Sequence, residues 1–272
     1  MQFWSRRDAK MTSSEPLKET GRSQQILGIK FFDGDVDEAI ATMSQNGGYM
    51  VAPSGTCFAR LQRDRSYREA ITHADLAIAD SGAMVLLWRF LHGNAITRIS
   101  GLKYLQALSA RLFTEKRNRV LWVLPSEEAR EKTARWLRAN QFGFTDINLH
   151  VAPRYGSIVE DRQLLTTIEN QKPDHVIIGI GSYAQEKLGL YLRDHLSFRP
   201  AIHCIGAALG FLTGDQAAIP AWADQLFLGW FLRLLRHPQI FIPRLTRALP
   251  LPWLIWKYGE NLPPFEGEEI ED

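Results

Sequence analysis

Asp80 is the side chain in this sequence best placed to do chemistry. It follows the apolar run Leu76-Ala77-Ile78-Ala79 and precedes Ser81 and Gly82, in the stretch LAIADSGAMVLLWRFLHGNAITRISG from Leu76 to Gly101. A short apolar run bounded by polar residues is the pattern of a central strand in a parallel sheet. A carboxylate at its carboxyl end, before a tight turn into an apolar helix over Ala83 to Phe90, stands over the crevice where open α/β sheets bind ligands. There it is the most plausible reactive carboxylate of the chain. The competing reading is that Asp80 caps the helix that follows it, an ordinary duty for aspartate. The sequence leaves both open.

Two further loops point to the same crevice. In GIGSYAQEKLG, Gly179 and Gly181 flank a strand end, and Gln185 and Glu186 fall in the first turn of a helix. Backbone amides at a helix start suit a diphosphate, and the Gln185 amide can donate to a sugar hydroxyl or a phosphate oxygen. A plain strand-to-helix turn explains the same residues, because the G-x-G-x-x-G spacing is absent and Ala184 takes the place of the third glycine. In IGAALGFLTGDQ, Gly206, Gly210 and Gly214 either let backbone approach a ligand or simply turn the chain.

These loops need a sheet to hold them, and the hydrophobic pattern supplies one. Strands are predicted over Ile26 to Phe32, Tyr49 to Ala52, Leu76 to Ala79, Val120 to Leu124, Ile147 to Val151, His175 to Ile180 and Ala201 to Gly206. Helices are predicted between them, over Asp35 to Ser44, from the Pro53-Ser54-Gly55 turn to about Ile71, over Leu102 to Phe113, from a Ser126 cap to about Arg138, over Asp161 to Asn170 and over Gln185 to Leu196. Repeated βα units with short turns predict a doubly wound, mostly parallel α/β sheet with right-handed crossovers.

Composition sets the outer limits. The 272 residues carry 32 Lys plus Arg against 30 Asp plus Glu, a balance that points to neither a nucleic-acid binder nor a partner of acidic polymers. Cys57 and Cys204 have no second cysteine at metal or redox spacing and read as small core residues of a reducing cytoplasm. Residues 1–25 are of mixed charge, without a signal-peptide core, and read as a loose tail. No segment has the roughly 20 uninterrupted apolar residues of a spanning helix.

The exception to this even composition is 222–258, which follows a main domain at 26–221. It carries Arg233, Arg236, Arg244, Arg247 and Lys257 against the single acid Asp224, interleaved with Trp222, Trp230, Phe231, Trp253, Trp256 and Tyr258. Arginine and tryptophan on an apolar helix fit the headgroup zone of an anionic membrane. Packing on the domain or on a second subunit fits equally, and a stacking surface for nucleic acid fits less well without a broader basic field. Residues 259–272 turn acidic and read as a disordered end.

In order and spacing, these pieces resemble the WecG/TagA/CpsF family of bacterial glycosyltransferases from roughly Ile26 to Arg247. The series is A-D-S-G at Asp80, T-R-I-S-G up to Gly101, G-I-G-x-x-x-Q-E ending at Glu186, I-G-x-x-x-x-F-L-T-G, A-I-P-A-W, and G-W-F-L-R-L-L-R-H-P up to Pro238. The resemblance implies a Rossmann-like domain with a basic, aromatic C-terminal helical appendage. It also implies inverting transfer of an N-acetylmannosamine-type sugar from a UDP-sugar to a polyprenyl-diphosphate-linked acceptor, by a peripheral protein on the cytoplasmic face of the membrane. Asp80 maps onto the family's general base. Arg98 and Gln185 match donor and active-site positions, Ser54, Gly101, Gly181, Glu186 and Gly206 fall in the matching loops, and Arg233, Arg236 and Arg244 match the appendage. These arginines would supply the charge stabilisation that a metal gives other sugar-nucleotide enzymes, and the resemblance implies no cofactor. The chain departs from the family pattern at Ala52 and Ser54, Lys103, Tyr183 and Ala184, Leu209 and Gly210, Ala218 and Gly229.

Two other readings stand beside this one. A catalytically inactive relative would bind a nucleotide sugar or scaffold a polysaccharide assembly complex, as a homo-oligomer or alone. A dinucleotide-dependent oxidoreductase would share the βα rhythm but lacks its glycine fingerprint.

Overall fold

A computed structural model describes residues 22–115, 119–143, 148–206, 208–214, 239, 242 and 246–266 of the chain. Eight strands form one sheet: β1 (Ser23–Ile26), β2 (Ile29–Phe32), β3 (Gly48–Val51), β4 (Leu76–Ala77), β5 (Val120–Leu124), β6 (Leu149–Val151), β7 (His175–Ile178) and β8 (Ala201–Cys204). Their spatial order is β1-β2-β4-β3-β8-β7-β5-β6, and every pairing except β1 with β2 is parallel. The doubly wound α/β architecture expected from the alternating pattern is therefore present.

Period-two alternation in the strands feeds two apolar layers. Tyr49, Val51, Val176, Ile178, Ile202 and Cys204 face one side of the sheet. There they meet α2 (Arg65–Thr72), α3 (Gly82–His92), α6 (Arg162–Gln171), α7 (Ala184–His195) and α9 (Pro250–Tyr258). Met50, Leu76, Trp122 and Ile177 face the other side, against α1 (Val36–Asn46), α4 (Gly101–Thr114) and α5 (Glu127–Ala139). Burial on both faces explains why these strands read as continuous apolar runs. A further short helix, α8 (Ala208–Leu212), follows β8.

Helix starts are set by side chains that accept otherwise unpaired backbone N–H groups. Asp35 and Glu38 form a reciprocal capping box on α1, and Ser126 caps α5. Asp64 accepts the Tyr67 N–H at 2.9 Å and so starts α2 afresh. For that reason the single helix expected up to Ile71 is instead a 3-10 turn (Phe58–Gln62) followed by α2.

The two ends of the described chain depart from expectation. Ile26 to Phe32 is not one strand but the second half of a hairpin, turning at Leu27 (φ 50°) and Gly28 (φ 77°). Leucine is a poor left-handed residue, so nothing in its type marks the turn. The turn is held from outside, because Leu27 N–H donates to the Gly259 carbonyl (2.9 Å) and Gly28 N–H to that of Glu260 (2.8 Å). The same bonds correct the reading of residues 259–272 as a disordered end. Up to Glu266 the segment is tied down, with Pro263 buried, the Phe265 ring under Arg65 and Arg68, and Glu266 paired with Arg63 at 2.7 Å. Of the region read as a loose N-terminal tail, 22–25 leads into and forms most of β1, and 1–21 lies outside the described residues.

Candidate active site

The carboxyl ends of β4, β3, β8 and β7 lie side by side at the centre of the sheet, and the loops that leave them carry Asp80, Ser54, Gly206 and Gly181. The fold thus brings together residues that are up to 152 positions apart, from Ser54 to Gly206.

The competing reading of Asp80 as a helix cap is settled by its neighbour. Ser81 is the N-cap of α3, its Oγ accepting the Met84 N–H at 3.3 Å. After β4 the backbone turns tightly, Asp80 N–H donating to the Ile78 carbonyl at 3.0 Å. The Asp80 carboxylate reaches a different helix, with Oδ1 accepting the N–H of Gly101 at 2.8 Å. Gly101 is the first residue of α4, which Ser100 caps through the Lys103 N–H. One carboxylate oxygen is therefore fixed by the positive end of a 14-residue helix. Arg98 closes the arrangement by donating from Nε to the Asp80 carbonyl at 3.1 Å. Asp80 and Arg98 are both half-buried.

Gly101 faces the loops that leave β3 and β8. A Cβ there would lie 3.8 Å from Ala52 Cβ and from the Ile205 carbonyl, so the start of α4 is packed between the ends of β3 and β8. Gly55 brings the β3 loop to the Asp80 loop, a Cβ there lying 3.1 Å from Ser81 Oγ. Ser54, half-buried beside it, bonds with Thr56 Oγ1 (3.0 Å) and Cys57 Sγ (3.3 Å).

On the other side, the structure uses Gln185 and Glu186 differently from the sequence reading, in which both face a ligand. Gln185 is 2 % exposed and Glu186 is 0 % exposed. Gln185 Oε1 accepts the Gly206 N–H at 2.7 Å, and its Nε2 donates to Glu186 Oε1 at 3.0 Å. Glu186 Oε2 accepts the Tyr183 N–H at 2.6 Å. The pair is a buried tie between the start of α7 and the end of β8. Two backbone amides that a diphosphate cradle would offer, those of Tyr183 and Gly206, are occupied by it. Gly181 keeps the open side of the loop, with φ at +100° and nothing within 4 Å of a Cβ there.

Several features here lie beyond sequence reasoning. Tyr183 adopts φ +75°, a costly conformation for a tyrosine. It is clasped by the Arg60 guanidinium 3.8 Å above its ring and by Tyr67 edge-on at 5.1 Å. Burial pushes the Glu186 carboxyl up from its usual range, and the Cys57 thiol likewise, with Glu186 adding to the latter. Cys57 and Cys204 are both buried and unbridged, as expected of core residues. Behind the site runs a buried chain from the Tyr104 hydroxyl to His203 Nδ1 (3.0 Å) and from His203 Nε2 to His175 Nδ1 (3.0 Å). A single histidine in each of two strands otherwise read as apolar is its only sequence signal.

At the β6 end of the same sheet edge lies a cavity of about 570 Å³, lined by Glu127, Arg130, His150 and Asp161 among others. Among the described residues, no three His, Cys, Asp or Glu side chains converge as metal ligands. Arg233, Arg236 and Arg244 lie outside the described residues.

The chain is 22 % identical over 191 residues to the N-acetylglucosaminyldiphosphoundecaprenol N-acetyl-beta-D-mannosaminyltransferase of Bacillus subtilis (strain 168), a match covering 70 % of each protein. The model of the WecG/TagA/CpsF glycosyl transferase family matches residues 24–262, from β1 through α9. With Asp80, Arg98 and Gly101 assembled at the central crevice of a fold matched nearly end to end, the chain belongs to the WecG/TagA/CpsF family of glycosyltransferases.

Proposed function

We propose that the protein transfers an N-acetylmannosamine-type sugar from a UDP donor to a polyprenyl-diphosphate-linked, N-acetylglucosamine-type acceptor, with inversion and without a metal. The activity for which the Bacillus subtilis relative is named supports the sugar and the acceptor. The observation that carries the reading is the Asp80 carboxylate, pinned at 2.8 Å by the α4 start and half-exposed at the crevice. In the step, an acceptor hydroxyl gives its proton to Asp80 as its oxygen bonds to the anomeric carbon. The bond from that carbon to the diphosphate breaks on the opposite face, and UDP leaves with the electron pair. A single displacement of this kind inverts the anomeric centre.

In this reading Arg98 holds the Asp80 loop from behind, Ser54, Gly101 and Gly181 shape the crevice wall, and Gln185 with Glu186 fixes Gly206. Arg233, Arg236 and Arg244 neutralise the departing diphosphate, the role a metal plays elsewhere. They also engage anionic lipid, which makes the protein peripheral to the inner face of the plasma membrane. Among the described residues no helix is long and apolar enough to cross a membrane.

The test is a panel of UDP-sugars offered with a short-chain lipid-diphosphate acceptor, with and without EDTA, the product being read by mass and by anomeric configuration. Acceptor-dependent transfer of N-acetylmannosamine with inversion, unchanged by EDTA, is expected. Retention of configuration or loss of activity with EDTA overturns the mechanism, and transfer of a different sugar overturns the donor.

A further inference from the structure

We infer that Tyr183 is a positioning residue that sets the shape of the crevice by clasping the loop after β7 to the loop after β3. The inference rests on the proposed use of a nucleotide-sugar donor and deepens it, because these two loops carry Gly181 and Ser54. The backbone at Tyr183 is strained, with φ at +75° and ψ at −47°, a conformation that a residue with a Cβ keeps only when its surroundings force it. Glycine would adopt it freely. A tyrosine here lowers local stability, and the contacts of its ring show what the side chain adds.

The ring is held on three sides by groups that follow β3. The Arg60 guanidinium, in the 3-10 turn, lies 3.8 Å above it, Tyr67 of α2 meets it edge-on at 5.1 Å, and Tyr183 Oη donates to the Thr56 carbonyl through a long bond of 3.4 Å. Thr56 Oγ1 in turn bonds with Ser54 Oγ at 3.0 Å. The Tyr183 backbone is held from the other direction, its N–H donating to the buried Glu186 carboxylate at 2.6 Å. One residue thus joins the end of β7 to the end of β3 across β8, which lies between those strands in the sheet.

A second tie makes the clasp act on the loop rather than on the fold. Lys187 Nζ lies 2.9 Å from Asp64 Oδ2, so α7 stays fastened to the start of α2 when the ring is removed. Gly181, two residues before Tyr183, has φ +100° and open space where a Cβ would be. Without the ring, a loop with glycine at that position gains conformations, and the shape that receives a diphosphate becomes one of several. Apparent affinity then falls with the fraction of molecules in that shape.

The test is UDP binding by calorimetry, with UDP-sugar transfer kinetics and denaturant melts beside it. It compares wild type, Tyr183→Phe, Tyr183→Ala, Tyr183→Gly, Arg60→Ala and the Arg60→Ala/Tyr183→Ala double variant. Tyr183→Phe keeps the ring and loses only the long bond, so it should bind UDP within about twofold of wild type. Tyr183→Ala and Tyr183→Gly should bind at least roughly 10-fold more weakly, with donor KM raised by a similar factor and kcat changed less. Tyr183→Gly should nevertheless melt above Tyr183→Ala, because both lack the ring and only glycine is free of the strain. Arg60→Ala should weaken UDP binding in the wild-type background and add nothing in Tyr183→Ala, as two parts of one clasp must. Wild-type UDP affinity in a folded alanine or glycine variant overturns the inference. So does an Arg60→Ala effect undiminished without the ring, which makes Arg60 a ligand of UDP itself. Tyr183→Phe as weak as Tyr183→Ala assigns the effect to the hydroxyl and overturns the ring clasp. If wild type binds UDP without transferring sugar, the proposed function fails while the binding series still decides the clasp. If wild type binds no UDP, both fall.

Discussion

Replacing Glu186 by glutamine exposes how the crevice is held in shape. The Glu186 carboxylate accepts from two donors, the Tyr183 N–H at 2.6 Å and Gln185 Nε2 at 3.0 Å. A glutamine has only one acceptor oxygen. If that oxygen keeps the Tyr183 N–H, its NH₂ faces the NH₂ of Gln185, and the Gln185 amide must flip to present oxygen. The flip turns NH₂ toward the Gly206 N–H, whose 2.7 Å bond is then lost. An unsatisfied buried N–H costs about 1–3 kcal/mol, enough to let the Gly206 loop shift. A displaced loop beside the reacting atoms lowers turnover by roughly 10- to 100-fold. Stability behaves differently. Burial raises the Glu186 pKa, so the folded protein holds this proton more tightly than the unfolded chain. The contribution of Glu186 to stability is thus fully present below the ordinary glutamate pKa of 4.5 and is lost as pH rises from there through its raised folded pKa, a loss the glutamine variant does not share. Glu186→Gln should therefore show reduced kcat beside a melting temperature that gains on wild type between pH 4.5 and 7. Wild-type turnover in a folded Glu186→Gln protein would refute the tie, and a pH-independent difference in melting would refute the burial argument.

Other outcomes follow from the same packing. Gly189→Ala places a Cβ 2.8 Å from Cys204 Sγ and 3.0 Å from Tyr49 Cδ2, both in the core, and should cost about 1–3 kcal/mol in denaturant melts; an unchanged midpoint would show that the core yields there. Burial and the neighbouring His175 hold the His203 pKa well below 6.5, so the folded protein resists protonation there and the contribution of His203 to stability, intact above pH 6.5, is lost as pH falls from there toward its lowered folded pKa. His203→Gln can still accept from Tyr104 and donate to His175, and its melting temperature should drop less than that of wild type from pH 7 to 5. Parallel pH curves for the two proteins would contradict this. Substituting alanine for Arg233, Arg236 and Arg244 together should weaken UDP-sugar transfer by more than 10-fold at unchanged melting temperature, by removing charge that offsets the diphosphate; full activity would take the appendage out of the step. This triple variant is cleaner than truncation after Ala221, which would also remove Leu251, Leu254 and Ile255 from the core.

The parts legible in the sequence were those written in periodicity and type. The apolar runs marked the parallel strands, and Ser126 before a helical pattern marked the start of α5. Asp80 at a strand end was visible for the same reason, but its partner was not. Gly101 lies 21 residues away, and only the parallel order β4-β3-β8 brings the start of α4 to the carboxylate. Gln185 and Glu186 were visible as polar residues in a first turn, a position that ordinarily faces solvent or ligand. Their burial depends on how tightly α7 packs on β8, which Gly189 permits and local pattern does not report. The hairpin at Leu27 and Gly28 was hidden because its energy comes from Gly259 and Glu260, more than 230 residues away. Those contacts also explain why an acidic, proline-containing end is partly ordered.

The central claim is that the Asp80 carboxylate takes the proton from the attacking hydroxyl. Asp80→Asn tests it most directly, because an asparagine oxygen can still accept the Gly101 N–H but cannot hold a proton from the acceptor. Acceptor-dependent UDP release should be measured on wild type and Asp80→Asn at saturating donor, with UDP affinity measured alongside. The account predicts UDP binding within about twofold of wild type and turnover lower by roughly 100-fold or more. Turnover near the wild-type rate in Asp80→Asn, with acceptor still required, would contradict it.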